Sequence, residues 1–169
     1  MWSFWKWKSE EQRIRDEFSQ HLAKGVIDEI LKNPNQGLPS VKPWTSCYVL
    51  LQVRDADLQE MTQHLNTAID IVVRRDGIVC GILSSVMLAA FGLPFVDDNL
   101  GRQRAQQAKA IARLAAKLGT NARLIYGTTS GMAGTVGNSE YQLHGFFLPD
   151  FDKQLERLRA LDFGKAIEV

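Results

Sequence analysis

The chain has 169 residues, 45% of them hydrophobic and 23% charged, with a formal net charge of +1. That is the size and make-up of one globular domain with a core of its own. The balanced charge gives no electrostatic reason to expect nucleic acid or a strongly acidic partner, and no apolar run has the length of a membrane-spanning helix. The two cysteines, Cys47 and Cys80, both sit inside apolar runs. Buried reduced thiols fit that setting better than a disulfide or a metal site, which suits a cytoplasmic protein. The N-terminus has lysines but no apolar h-region and no cleavage site of a secretion signal.

Residues 1–8, M-W-S-F-W-K-W-K, place Trp2, Phe4, Trp5 and Trp7 beside Lys6 and Lys8. Aromatic rings with basic neighbours suit a weak peripheral membrane contact or the groove of a partner. Ser9 followed by Glu10 and Glu11 reads as a helix start. Ile14, Phe18 and Leu22 then recur every four residues, and Ile27, Ile30 and Leu31 continue the stripe past Gly25 until Asn33-Pro34 ends it. So narrow a stripe packs on another helix. Residues 35–44, with Gly37, Pro39 and Pro43, read as a linker, so the expected units are 1–8, 9–45 and 46–169.

The main domain opens with residues 46–53, S-C-Y-V-L-L-Q-V, an apolar run suited to a central strand. Residues 55–75 carry Leu58, Met61, Leu65, Ile69, Val72 and Val73 at helical spacing, with Asp55 as the expected cap and Asp76-Gly77 as the stop. Two short apolar runs, 78–83 and 86–91, flank Ser84-Ser85 and predict a two-residue β-hairpin. After a loop over 92–99, residues 101–118 predict a helix with Ala105, Ala108, Ile111, Ala112, Leu114, Ala115 and Leu118 as its apolar positions, capped by Gly119. Residues 122–129 read as a strand. Gly131, Gly134 and Gly137 follow, either as a tight hairpin or as a cradle for phosphate, and 140–147 form a further strand. Pro149-Asp150 opens a helix bearing Phe151, Leu155, Leu158 and Leu161, ended by Gly164, and 166–169 add a short strand. The order is that of an α+β fold, a ferredoxin-like βαββαβ sheet with helices on one face, preceded by an N-terminal helical segment.

Isolated residues add little chemistry. His21, His64 and His144 lie in separate elements and lack metal-ligand spacing. Asp97-Asp98 sits in a loop, as a solvated turn or a metal pair. No nucleophile-elbow pattern is present.

Three motifs in order carry a family resemblance. V-M-L-A-A-F-G-L-P at 86–94, Y-G-T-T-S-G-M-A-G-T-V-G at 126–137, and R-x-x-F followed by an L-x-x-x-V-x-x-x-I-L-x-x-P pattern within 15–34 together resemble a class III adenylate/guanylate cyclase homology domain with N-terminal transducer helices. In that family two aspartates hold two divalent ions that drive attack of a ribose hydroxyl on the α-phosphate of a nucleoside triphosphate. The resemblance puts the first aspartate at Val53 and the second at Ser85. Asp55, two residues beyond Val53, is the candidate substitute ligand if it is not a cap. The purine-selecting lysine falls at Gly81, the transition-state asparagine at Pro149, and the arginine nearest Lys153, which lacks the planar fork. A substrate-covering loop is also missing between the first strand and the hairpin.

The resemblance therefore implies a degenerate, catalytically inactive cyclase-like domain acting as a dimeric signalling or regulatory module. Its partner would be a second copy or another cyclase-type protein, with Ile14, Phe18, Leu22, Ile27, Ile30 and Leu31 at the dimer axis and no cofactor expected. The alternatives are a working cyclase, or half of one, making cAMP or cGMP from ATP or GTP with Mg²⁺ or Mn²⁺, and a nucleotide sensor without turnover. The expected location is the cytoplasm, free or at the membrane periphery.

Overall fold

The computed structural model describes residues 41–54, 57–92, 99–137 and 142–169, with the backbone alone at 135–137 and 142–145. The expectations on Trp2, Phe4, Trp5 and Trp7, on the 9–34 helical stripe with His21, on Asp55, and on Asp97-Asp98 lie outside the described residues, as does the side chain of His144. Within them the order is β1 (Lys42–Val53), α1 (Leu58–Val73), β2 (Gly77–Leu83), β3 (Val86–Phe91), α2 (Leu100–Leu118), β4 (Ala122–Gly137), β5 (Gln142–Phe147), α3 (Phe151–Arg159) and β6 (Ala166–Glu168), an α+β fold on one mixed sheet. The strands pair in the order β2-β3-β1-β4-β5, antiparallel throughout, and β6 adds in parallel to the outer edge of β4.

The apolar run of β1 occupies the centre because both faces of the sheet are covered. Cys47, Val49, Leu51 and Val53 point toward α1 and α2, where Leu65, Ala68, Val72, Ala110 and Leu114 close the main core. Tyr48 and Leu50 point the other way, Tyr48 against Phe146 and Leu148 and Leu50 against Leu155 and Leu158 of α3. The helices therefore lie on both faces, two on one and α3 on the other, where the sequence predicts one face only. The backbone N–H of Phe146 donates to Cys80 Sγ at 3.3 Å. That contact joins β5 to β2, the two ends of the pairing order, so the sheet curls until its edges meet over the second face.

Several boundaries differ from expectation. β1 starts at Lys42, inside the predicted linker, because Lys42, Pro43 and Trp44 pair with Ala133, Met132 and Gly131 of a longer β4. The cap of α1 is Asp57, not Asp55: its carboxylate accepts from the backbone N–H groups of Gln59 and Glu60. On α2 the buried positions are Gln103, Gln107, Ala110, Leu114 and Leu118, whereas Ala105, Ala108, Ala112 and Ala115 face solvent. Alanine is compatible with either environment and so marks no face. α3 ends at Arg159, before Gly164.

The glycine-rich stretch is part of β4 itself. Gly131 sits opposite Trp44, and a β-carbon there would lie 2.6 Å from the Phe147 carbonyl oxygen; at Gly127 it would lie 2.4 Å from that of Val169. These glycines admit neighbouring backbones, and β1 and β5 pair with this stretch on its two sides. Up to Ala133 the stretch pairs with β1, and from Met132 on it pairs with β5, so much of its backbone is engaged in sheet ladders. No helix among the described residues is long and apolar enough to cross a membrane.

Candidate functional site

The two positions singled out in sequence meet at one end of the sheet. Val53 is fully buried at the end of β1, and its N–H donates to the Ser85 carbonyl at 2.9 Å; the next N–H, of Arg54, donates to Asn121 at 2.8 Å. The end of β1 is thus held between the β2–β3 turn and the start of β4. The turn has the predicted two residues, and Ser84 takes φ 54°. A positive φ at the first central position alone is the type II′ pattern, where glycine is the unstrained choice.

Ser85 is buried rather than presented at a tip, with 3% of its surface exposed. Its hydroxyl accepts a hydrogen bond from Gln52 Nε2 at 3.2 Å. The Oε1 of the same Gln52 accepts from Arg123 Nε at 3.1 Å and Nη2 at 2.9 Å. Arg123 Nη1 donates in turn to the carbonyls of Arg159 at 2.8 Å and Leu161 at 2.6 Å, just beyond α3. The guanidinium lies 4.6 Å from the Phe163 ring centre, and that of Arg54 lies 4.5 Å from the same ring. Arg54 is fixed by its Nε bond to the Thr120 carbonyl at 3.0 Å. A chain of hydrogen bonds therefore runs from the hairpin turn through β1 and β4 to the end of α3, and its charged members are cations.

Val53 and Ser85 themselves present no carboxylate to a divalent metal. Mg²⁺ and Mn²⁺ require anionic oxygen donors, yet Val53 supplies none and the Ser85 hydroxyl is neutral and already bonded to Gln52. Two guanidinium groups share one ring nearby. Asp57 is occupied as a helix cap, and no group of three or more His, Cys, Asp or Glu among the described residues could hold a metal ion.

The other predicted positions are dispersed. Gly81 is exposed on β2, with open space where its β-carbon would be. Pro149 is an exposed turn residue before α3, and Lys153 is exposed on that helix, about 9 Å along it from Arg159 at 1.5 Å per residue. Neither cysteine is a nucleophile. Burial pushes the Cys47 thiol up, against a pull from the Thr128 hydroxyl, and pushes Cys80 up to about 12. Both stay protonated at neutral pH.

Gln52, Arg123 and the two buried glutamines of α2 went unnoticed in sequence. Gln103 Oε1 accepts from the Cys47 N–H at 3.2 Å, and Gln107 Nε2 donates to the carbonyls of Tyr48 at 2.7 Å and Gly127 at 3.0 Å. The one available signal was two glutamines four residues apart, Gln103 and Gln107, in phase with Leu114 and Leu118 on the core-facing stripe.

No protein-family model matches the chain, and no curated protein matches it. Solved structures do. A bacterial light-regulated adenylyl cyclase is 13% identical with a TM-score of 0.63, covering 98% of this chain and 54% of its own. The adenylyl cyclase CyaB from P. aeruginosa is 13% identical, TM-score 0.59, over 76% of this chain and 79% of its own. The guanylyl cyclase domain of the RhoGC fusion protein from the aquatic fungus Blastocladiella emersonii is 9% identical, TM-score 0.56, over 76% and 84%. The chain thus spans about half the length of the light-regulated enzyme. It is structurally similar to class III adenylyl/guanylyl cyclase catalytic domains, and at these identities the likeness is one of fold.

Proposed function

We propose that this chain is a cyclase-fold domain that has given up nucleotide cyclisation and serves as a dimeric signalling or regulatory binding module. The observation that carries the proposal is the Val53–Ser85 corner. The fold brings these two positions into backbone contact at 2.9 Å, while the chemistry there is aliphatic, hydroxylic and cationic. A two-metal mechanism needs converging carboxylates that offset the charge of the ions. Here the Gln52–Arg123 pair fills the polar capacity of the corner and adds positive charge, which opposes a divalent cation.

A module without turnover acts through association. The partner would be a second copy of the chain or a related cyclase-type protein, since the similar structures include cyclases and closed homo-oligomers pair like with like.

The test is direct. Pure protein incubated with ATP or GTP and Mn²⁺ is expected to yield no cyclic nucleotide above a protein-free control. Sedimentation of the same sample is expected to show a concentration-dependent dimer, or a complex once a cyclase domain is added. Sustained cyclic nucleotide formation that disappears on metal chelation would overturn the proposal.

A further inference from the structure

Over the sheet face that α1 and α2 cover, a groove of about 580 Å³ runs between these two helices. Its lining includes His64, Arg74 and Arg75 from α1 and its C-terminal turn, and Arg113 and Lys117 from α2. The carboxylate on this wall, Asp70, is already paired with Arg74 at 2.7 Å. The groove is therefore cationic although the chain as a whole carries a net charge of only +1.

Two buried donors in the groove have nothing to donate to. Asn121 Nδ2 lies 3.4 Å from His64 Nε2; with the amide as donor, the ring proton belongs on Nδ1. His64 Nδ1 and Arg75 Nε are both shielded from solvent, and neither has a hydrogen-bond partner. Buried N–H groups without acceptors in the protein are rare and are places where a water or a ligand can supply the acceptor. Both line this groove.

We propose that the α1–α2 groove binds an extended phosphate-bearing anion, a soluble oligophosphate. Phosphate oxygens accept from guanidinium, ammonium and imidazole N–H groups at once, and the arginine fork matches their geometry. His64 lies within α1 and Arg75 just past its end, so the cationic lining is spread along the groove, with Arg113 and Lys117 on the opposite wall. A chain of phosphates engages more of these groups at once than a single phosphate can. No Phe, Tyr or Trp is among the described lining residues, so the groove offers a phosphate chain more than it offers a nucleobase, which would seek an aromatic face. The groove adjoins the end of β1 through Asn121, whose carbonyl takes the Arg54 N–H and whose amide meets His64. Its cations are not those of the Gln52–Arg123 network, and the proposal does not depend on the absence of catalysis.

The experiment uses the full chain and calorimetric titration with tripolyphosphate, inorganic phosphate and a poly-glutamate peptide at matched ionic strength. Tripolyphosphate is expected to bind one-to-one and at least tenfold more tightly than inorganic phosphate or poly-glutamate. The variant R75Q/R113Q is expected to weaken tripolyphosphate at least tenfold while keeping its far-ultraviolet circular dichroism. K109Q, at an exposed position of α2 outside the groove, is expected to leave it unchanged. Absence of tripolyphosphate binding, equal binding of poly-glutamate, or equal losses in R75Q/R113Q and K109Q would overturn the proposal.

Discussion

Replacing Arg123 by alanine tests the reading of the cationic corner most severely. Arg123 makes four hydrogen bonds, two to Gln52 Oε1 and one each to the carbonyls of Arg159 and Leu161, and its guanidinium covers Phe163. A hydrogen bond to a charged group contributes about 1.5–3 kcal/mol. The bond to Arg159 is open to water, so it counts for little, while the fork on Gln52 is partly buried and counts nearly in full. The stacking adds about 0.5–1 kcal/mol. The expected loss is therefore about 2–4 kcal/mol, read as a lower urea midpoint at unchanged m-value. At this chain length that corresponds to a fall in Tm of roughly 5–15 °C. Arg123→Lys keeps the charge without the planar fork and should recover less than half of the loss. A loss below about 0.5 kcal/mol for alanine, or a lysine variant as stable as the parent, would refute the view that this network fastens α3 to the sheet.

Two further outcomes follow from buried groups. The Cys80 thiol is raised from 9.0 to about 12 by burial, so between those values the folded protein holds a proton that the unfolded chain releases. Stability is expected to be insensitive to this thiol below pH 9 and to fall as pH rises through the window, by up to about 1.4 kcal/mol per pH unit. Urea unfolding at stepped pH should show a shallower slope in Cys80→Ala, with Cys47 and Tyr48, also raised by burial, contributing the remainder; an unchanged slope would contradict the assignment. Gln107→Leu removes the donor shared by the carbonyls of Tyr48 and Gly127 while keeping an apolar side chain in place. It is expected to cost about 1–3 kcal/mol in chemical denaturation, and a neutral result would mean that these carbonyls are satisfied within the sheet.

The sequence by itself determined the order of elements, because that order follows from local periodicity and turn chemistry. The 46–53 run suited a central strand, and Ser84-Ser85 fell between two strand-length runs; the hairpin formed as predicted, and β1 formed there but starts earlier, at Lys42. The fold also brings positions 53 and 85, which the family resemblance singles out, into backbone contact.

What occupies that corner was decided by tertiary structure alone. Gln52 and Arg123 lie 71 positions apart, and no local pattern connects them; only the register of β1 with β4 sets them side by side. The same register fixed what the glycine-rich run admits, since that run lies in the second half of β4, which pairs with β1 and back on β5. Its neighbours Phe146, Phe147 and Val169 approach from elsewhere in the chain, and their backbones need the space. α2 shows the limit in its plainest form: alanine fits inside or outside, and the buried face carries two glutamines whose hydrogen-bond partners belong to the strands beneath. The sheet's curl, which brings β5 against Cys80, likewise depends on long-range contacts. Short-range periodicity specifies which elements form, while the partners of buried polar groups are long-range facts that exist only once the sheet has closed around them.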